Sequence, residues 1–176
     1  STLYRAGEVI EEINMVCNGE TQTVVSGTYT APNVTGVQDL TTTFADITGS
    51  SISYTPPAGA TRVIYTFSPY ISYNGDAASI ASWALYLDSD EVVHARNSIA
   101  GGYNGGVIHL SWPFRIGGSA DTNTGRVTSW SSAKTIKIQA RDYNSSWDQK
   151  VHETEHWESS ATDTFRVPTL SIRAIK

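Results

Sequence analysis

The sequence predicts an all-β chain, an antiparallel two-sheet β-sandwich of the jelly-roll type with about eight to ten strands. Three observations carry that expectation. Apolar residues recur at every second position in separate runs, among them Val63, Tyr65 and Phe67, then Trp83, Leu85 and Leu87, then Ile136, Ile138 and Ala140. The runs return at intervals of roughly 12 to 20 residues with turn-forming residues between them. From Thr21 to Thr48 the chain is dominated by Thr, Val, Ser and Gly, and a pleated surface accommodates its β-branched residues better than a helix does.

Taken in order, Glu8–Cys17 reads two ways. Val9, Ile13 and Val16 follow a helical spacing, whereas Val9, Ile13, Met15 and Cys17 nearly fit a strand face broken at Glu11. The strand reading is preferred, with residues 1–20 forming either that strand or an N-terminal arm. Strands are expected near Gln22–Val25 and Leu40–Ile47, separated by Pro32–Gly36. Gly49–Phe67 reads as strand, turn, strand: Ile52 and Tyr54 share a face of the first, and Val63, Tyr65 and Phe67 share a face of the second. Pro56 and Pro57 cannot donate to a ladder, and Gly59 supplies the positive φ that a turn often needs.

Ser79–Ala95 is one long strand, or two with a turn at Asp88-Ser89-Asp90. Gly101, Gly102, Gly105 and Gly106 surround Tyr103 in a flexible loop. Val107–Phe114 is an apolar strand stopped by Ile116-Gly117-Gly118, and Ser119–Ser132 is a long polar surface loop. Ile136 to Ala140 alternates with Lys137, Gln139 and Arg141, Val151–Trp157 is a polar strand, and Leu170, Ile172 and Ala174 mark the last one. The whole of 1–176 is read as one domain.

Composition narrows the function classes. Charged residues are 16% of the chain, against roughly 25% in an average soluble domain, so the surface is rich in hydroxyls and amides. Net charge is −5 with no Lys/Arg run, which argues against a nucleic-acid partner. The apolar runs are far shorter than the roughly 20 residues that span a bilayer, so no membrane insertion is expected. The N-terminal STLYRAGEVIEEI lacks the apolar core of a signal peptide, and the single Cys17 forms no internal disulfide and reads as a small buried hydrophobe.

Catalytic signatures are missing: the chain has no Gly-x-Ser-x-Gly, no P-loop and no Gly-x-Gly-x-x-Gly. His152 and His156 on one strand face would stand about 13 Å apart, too far to share a metal, so they read as polar residues of an outer face or an interface. Asp88, Asp90 and Glu91 read as turn chemistry rather than a calcium loop. The expectation is no catalytic residue, no metal and no cofactor. Trp83, Trp112 and Tyr65 lie in alternating strands and are assigned to the core. Tyr103, Trp130, Tyr143 and Trp147 sit in polar or Gly-rich stretches, where a ring either caps the sandwich or stacks on a sugar or a neighbouring subunit. Asp121, Asn123 and Arg126 would then supply polar contacts beside Trp130.

The segments SGTYTAPNVTGVQDLTTTFADITGSSISYTPPAGATRVIYTF, LYLDSDEVVHARNSI, WPFRIGGSADTNTGRVTSWSSAKTIKIQARDY and VHETEHW resemble a family of small β-domains in structural proteins of marine tailed bacteriophages. The resemblance implies a jelly roll of the C1q/tumour-necrosis-factor kind, assembled as a homotrimer with other virion proteins as partners. It implies a virion protein made in the host cytoplasm and displayed on the particle surface, as a capsid decoration or a fibre tip, without enzymatic activity. No site residues transfer with it. Two alternatives stand beside it: a lectin-like, receptor-binding module of a tail fibre that contacts host cell-surface glycan, and a glycan hydrolase using Glu153 or Glu155.

Overall fold

Eight strands carry the architecture of the computed structural model, which describes residues 4–73, 79–101, 105–154 and 164–176. They are β1 (Val9–Val16), β2 (Ile52–Tyr54), β3 (Arg62–Ser68), β4 (Ser79–Leu87), β5 (Asn97–Gly101), β6 (Leu110–Arg115), β7 (Lys134–Asp142) and β8 (Thr169–Ile175). One sheet runs β1-β8-β3-β6 and the other β2-β7-β4-β5, with every neighbouring pair antiparallel. Strand orders 1-8-3-6 and 2-7-4-5 are those of a jelly roll, in which the chain crosses between two facing sheets. The fold class expected from the sequence is the one observed.

Alternation builds the core. Val63, Tyr65 and Phe67 of β3, Leu170, Ile172 and Ala174 of β8, Ile136, Ile138 and Ala140 of β7 and Ala81, Trp83, Leu85 and Leu87 of β4 all point inward and are buried. Each such Leu, Ile or Phe contributes about 1.5–3 kcal/mol of transfer free energy. Cys17 joins this core with no exposure, and burial pushes its thiol up to about 12.

Several boundaries differ from expectation for identifiable reasons. The first element is a strand, but its register against β8 slips between Val9 and Glu11, so that Ile10 and Glu11 are both buried. Glu11 therefore belongs to the inward face that it was expected to interrupt. The strand–turn–strand of Gly49–Phe67 exists without being a hairpin: β2 pairs with β7, β3 pairs with β8 and β6, and Pro56 to Gly59 carries the chain from one sheet to the other. Gly59 takes φ 91° there.

The Leu40–Ile47 strand shrinks to Ala45–Asp46, because Leu40 and Ile47 are buried anchors while 41–46 between them is exposed. Thr21–Val24 forms a hairpin with Gly27–Thr30. Ser79–Ala95 is broken at Asp88, at φ 56°, then continues as Asp90–Glu91 and a 3-10 turn at Val93–Ala95. The 107–114 strand divides into Gly106–Val107 and β6. The polar 151–157 strand becomes Gln149–Val151 and Glu153–Thr154, interrupted by His152 at φ 72°; residues 155–157 lie outside the described residues. A small sheet ordered Gly106–Val107, Tyr70–Tyr73, Gln149–Val151, Gln38–Asp39 lies beside these strands.

Candidate functional site

β5 and β6 are the edge strands of their two sheets, and the sandwich is open between them. A cleft of about 240 Å³ lies there, with Tyr65, Trp83, Leu85 and Ile138 at its base and His94, Asn97, His109 and Trp112 at its mouth. His109 Nδ1 lies 2.7 Å from Ser68 Oγ, which fixes the ring. Trp112, expected in the core, is half-buried in the cleft wall, and its indole N–H donates to the Thr124 carbonyl at 2.9 Å. The backbone N–H of His94 donates to the Asn123 carbonyl at 3.0 Å. The long 119–132 loop is thus pinned along the cleft.

Asp121 organises that loop. Its carboxylate accepts from the Asn123 N–H (3.1 Å) and the Thr124 hydroxyl (3.0 Å), while its backbone exchanges two 3.0 Å hydrogen bonds with Arg126. Asp121 and Asn123 remain exposed, and Arg126 is half-buried. Trp130 is not beside them as a sugar platform. It is only 5% exposed, donates its indole N–H to the Tyr54 carbonyl at 3.0 Å, and packs edge-on against Tyr54 and Phe114 at 6.3 and 5.9 Å. The polar loop folds its one tryptophan back over the core, the capping alternative of the two that the sequence left open. Tyr143 is 64% exposed, and Trp147 is half-buried in the turn after β7. Tyr103 lies outside the described residues.

Buried polar groups are the residues that sequence reasoning missed. Glu11 Oε1 accepts from the Tyr54 and Ser26 hydroxyls, both at 2.6 Å, and Oε2 accepts from the Ser26 N–H at 2.9 Å. Asp142 accepts from the Gln149 N–H at 2.9 Å, and Gln149 receives the Trp83 indole N–H at 3.0 Å and donates to Ser79 Oγ at 3.2 Å. Burial pushes the Asp142 carboxyl up to about 6.

His152 is fully buried, not on an outer face. Its Nε2 lies 2.9 Å from the Thr48 carbonyl, and burial drives the ring down to about 4. Glu153 is buried with Lys150 Nζ at 3.2 Å, while Glu155 and His156 lie outside the described residues. Asp88 accepts from the Thr135 N–H and the Lys134 ammonium, and Glu91 pairs with Arg96, so two of the three acids of the 88–91 turn are engaged in protein contacts.

The outer face of the β1-β8-β3-β6 sheet is a second feature. The register places Asn14, Ser171, Thr66 and Ser111 in one row across all four strands, with Val16, Thr169 and Ser68 in the next outward row. Thr66 and Ser111 hydroxyls meet at 2.9 Å. A shallow depression of about 330 Å³ runs through these rows. Charge gathers towards the opposite end of the sheet, where Arg173 pairs with Glu12 at 3.2 Å and Arg62 lies across from Arg115. The rows themselves therefore carry only uncharged side chains, while Glu20 borders the depression on the β1 side.

No protein-family model matches the chain, and no curated protein does. Among solved structures, one of the infectious bursal disease virus Gx strain is similar over 97% of this chain, at 10% identity and a TM-score of 0.42. One of the Gt strain is similar over 89%, at 11% identity and a TM-score of 0.29. The chain spans 37% and 43% of the length of those two chains.

Proposed function

We propose that this chain is a structural protein of a virus particle, a homotrimer displayed on the particle surface without catalytic activity. The observation that carries the reading is the row of small uncharged side chains that crosses all four strands of the β1-β8-β3-β6 outer face. Interface cores are depleted of charge, and a twisted sheet with a continuous row of Asn14, Ser171, Thr66 and Ser111 offers close backbone approach to a second copy. Val16, 39% exposed beside that row, gains an apolar contact on assembly. The sequence resemblance to phage structural proteins supports the same reading, with capsid decoration or fibre tip as the proposed role.

Electron microscopy of the native particle tests it, with density matched to this chain. Copies arranged around threefold axes of the capsid or at the tip of an appendage are the expected result, and a particle lacking the chain refutes the proposal. A second reading, attachment to host glycan through the 143–147 turn, is favoured by the 64% exposure of Tyr143. It predicts glycan-array binding that Tyr143→Ala abolishes; an unaffected pattern removes it.

A further inference from the structure

The outer face of the other sheet carries a trough that adjoins the edge cleft and shares Arg96 and Asn97 with it. Its volume is about 280 Å³. Along β4 the outward residues are Ser82, Ala84 and Tyr86, and the two small ones leave a depression between the larger side chains of the neighbouring strands. Phe44 and Arg141 rise on the β7 side, and Arg96 and Asn97 rise on the β5 side.

The charges around this trough do not balance. Lys137 pairs with Asp46 at 2.9 Å, and Arg96 is held by both carboxylate oxygens of Glu91, at 2.6 and 2.8 Å. Arg141 has no carboxylate partner among the described residues. Its guanidinium carbon lies over the Phe44 ring, 5.5 Å from the centroid, and one N–H donates a 3.3 Å hydrogen bond to the Thr42 carbonyl. The side chain is half-buried, and the guanidinium N–H groups not given to Thr42 reach solvent, where an anionic ligand can take them.

A planar guanidinium fork matches a carboxylate in geometry. Hydroxyl and amide groups from Ser82, Tyr86 and Asn97 line the same trough as the apolar Phe44 ring. Donor groups beside an aromatic face are the chemistry of a polyhydroxylated ring, whose C–H surface stacks while its hydroxyls hydrogen-bond. We infer that this trough binds an acidic sugar residue, with Arg141 gripping the carboxylate and Phe44 flanking the ring. The site goes beyond the assembly reading and does not depend on it: a trimer that binds no sugar leaves the assembly standing, and a monomer that binds one leaves the site standing.

Titration of the full chain with glucuronate, followed by NMR chemical shifts, tests the assignment against glucose and inorganic phosphate. Glucuronate is expected to bind at least about tenfold more tightly than glucose. Arg141→Gln is expected to weaken it by about tenfold or more, the worth of one charge-assisted hydrogen bond. Arg141→Lys, which keeps the charge without the fork, falls between the two. Glu91→Gln removes a competing carboxylate and frees Arg96, so glucuronate binds severalfold more tightly. Circular dichroism confirms that each variant is folded. Unchanged affinity in folded Arg141→Gln, or no binding by the wild type at millimolar glucuronate, overturns the inference. Phosphate binding as tightly as glucuronate, with no effect of Phe44→Ala, overturns the sugar assignment and leaves a simple anion site.

Discussion

Replacing Glu11 by Gln changes a single atom and tests the buried network that anchors β1 to the rest of the sandwich. The carboxylate receives three hydrogen bonds, from the Tyr54 hydroxyl, the Ser26 hydroxyl and the Ser26 N–H. Glutamine keeps one acceptor for the hydroxyls but turns a donor towards the Ser26 N–H, so donor faces donor. The loss of one charge-assisted bond costs roughly 1.5–3 kcal/mol, and the weakening of the other two adds to it. A total of about 3 kcal/mol corresponds to a fall in Tm of roughly 6–12 °C for a chain of this length. Thermal unfolding by circular dichroism at pH 7.5 measures it, with Glu12→Gln as the control because Glu12 pairs with Arg173 at the surface. A fall below about 2 °C, or one matched by the control, would refute the claim that Glu11 is an inward-facing acceptor.

Three further outcomes follow from the same packing. Trp130→Ala empties a site enclosed by Tyr54 and Phe114 and leaves the Tyr54 carbonyl without its donor, so it destabilises the fold by about 3–5 kcal/mol in chemical denaturation; a change below about 1 kcal/mol contradicts the buried placement. For Asp142 the folded value, about 6, lies above the unfolded one, so its contribution is present below about 4 and is lost as pH rises through about 6. Asp142→Asn is therefore more stable than wild type by about 1–3 kcal/mol at pH 7.5 and equal to it near pH 3.5. His152 has the opposite sign: its folded value, about 4, lies below the unfolded one, so stability is lost as pH falls from about 6.5 towards 4. The two groups offset each other in the wild type, and Asp142→Asn exposes the His152 slope in a series of melts from pH 7 to 4; a flat profile in that variant contradicts the assignment.

The strands legible in the sequence were those whose two faces differ in polarity. Arg62–Ser68 and Lys134–Asp142 alternate because one side meets the core and the other meets water, and that contrast is written locally. Sheet membership was less legible: β2 and β3 adjoin in sequence but lie in different sheets, a consequence of tertiary crossing that no short window contains. Glu11 was misread because charge was taken as exposure, whereas Tyr54 and Ser26, contributed from 43 and 15 residues away, satisfy it inside. Trp130 was left open between capping the sandwich and stacking on a sugar, and the polar loop closes it over Phe114 as a cap. Arg141 was legible only as the wet face of a strand. Its unmatched charge appears once the register sets Asp46 beside Lys137 and Gln139, and leaves Arg141 to Phe44.

Assembly through the uncharged rows of the β1-β8-β3-β6 face is the central claim, and sedimentation analysis at micromolar concentration of wild type and Thr66→Arg tests it most directly. Thr66 sits mid-row on β3 with its side chain on the outer face, so arginine there fits the monomer but places three charges in the contact. The account predicts a wild-type mass of about 57 kDa, three times the 19.1 kDa chain, and a folded monomer for the variant. A wild type that sediments at 19.1 kDa, or a variant that stays trimeric, would contradict it.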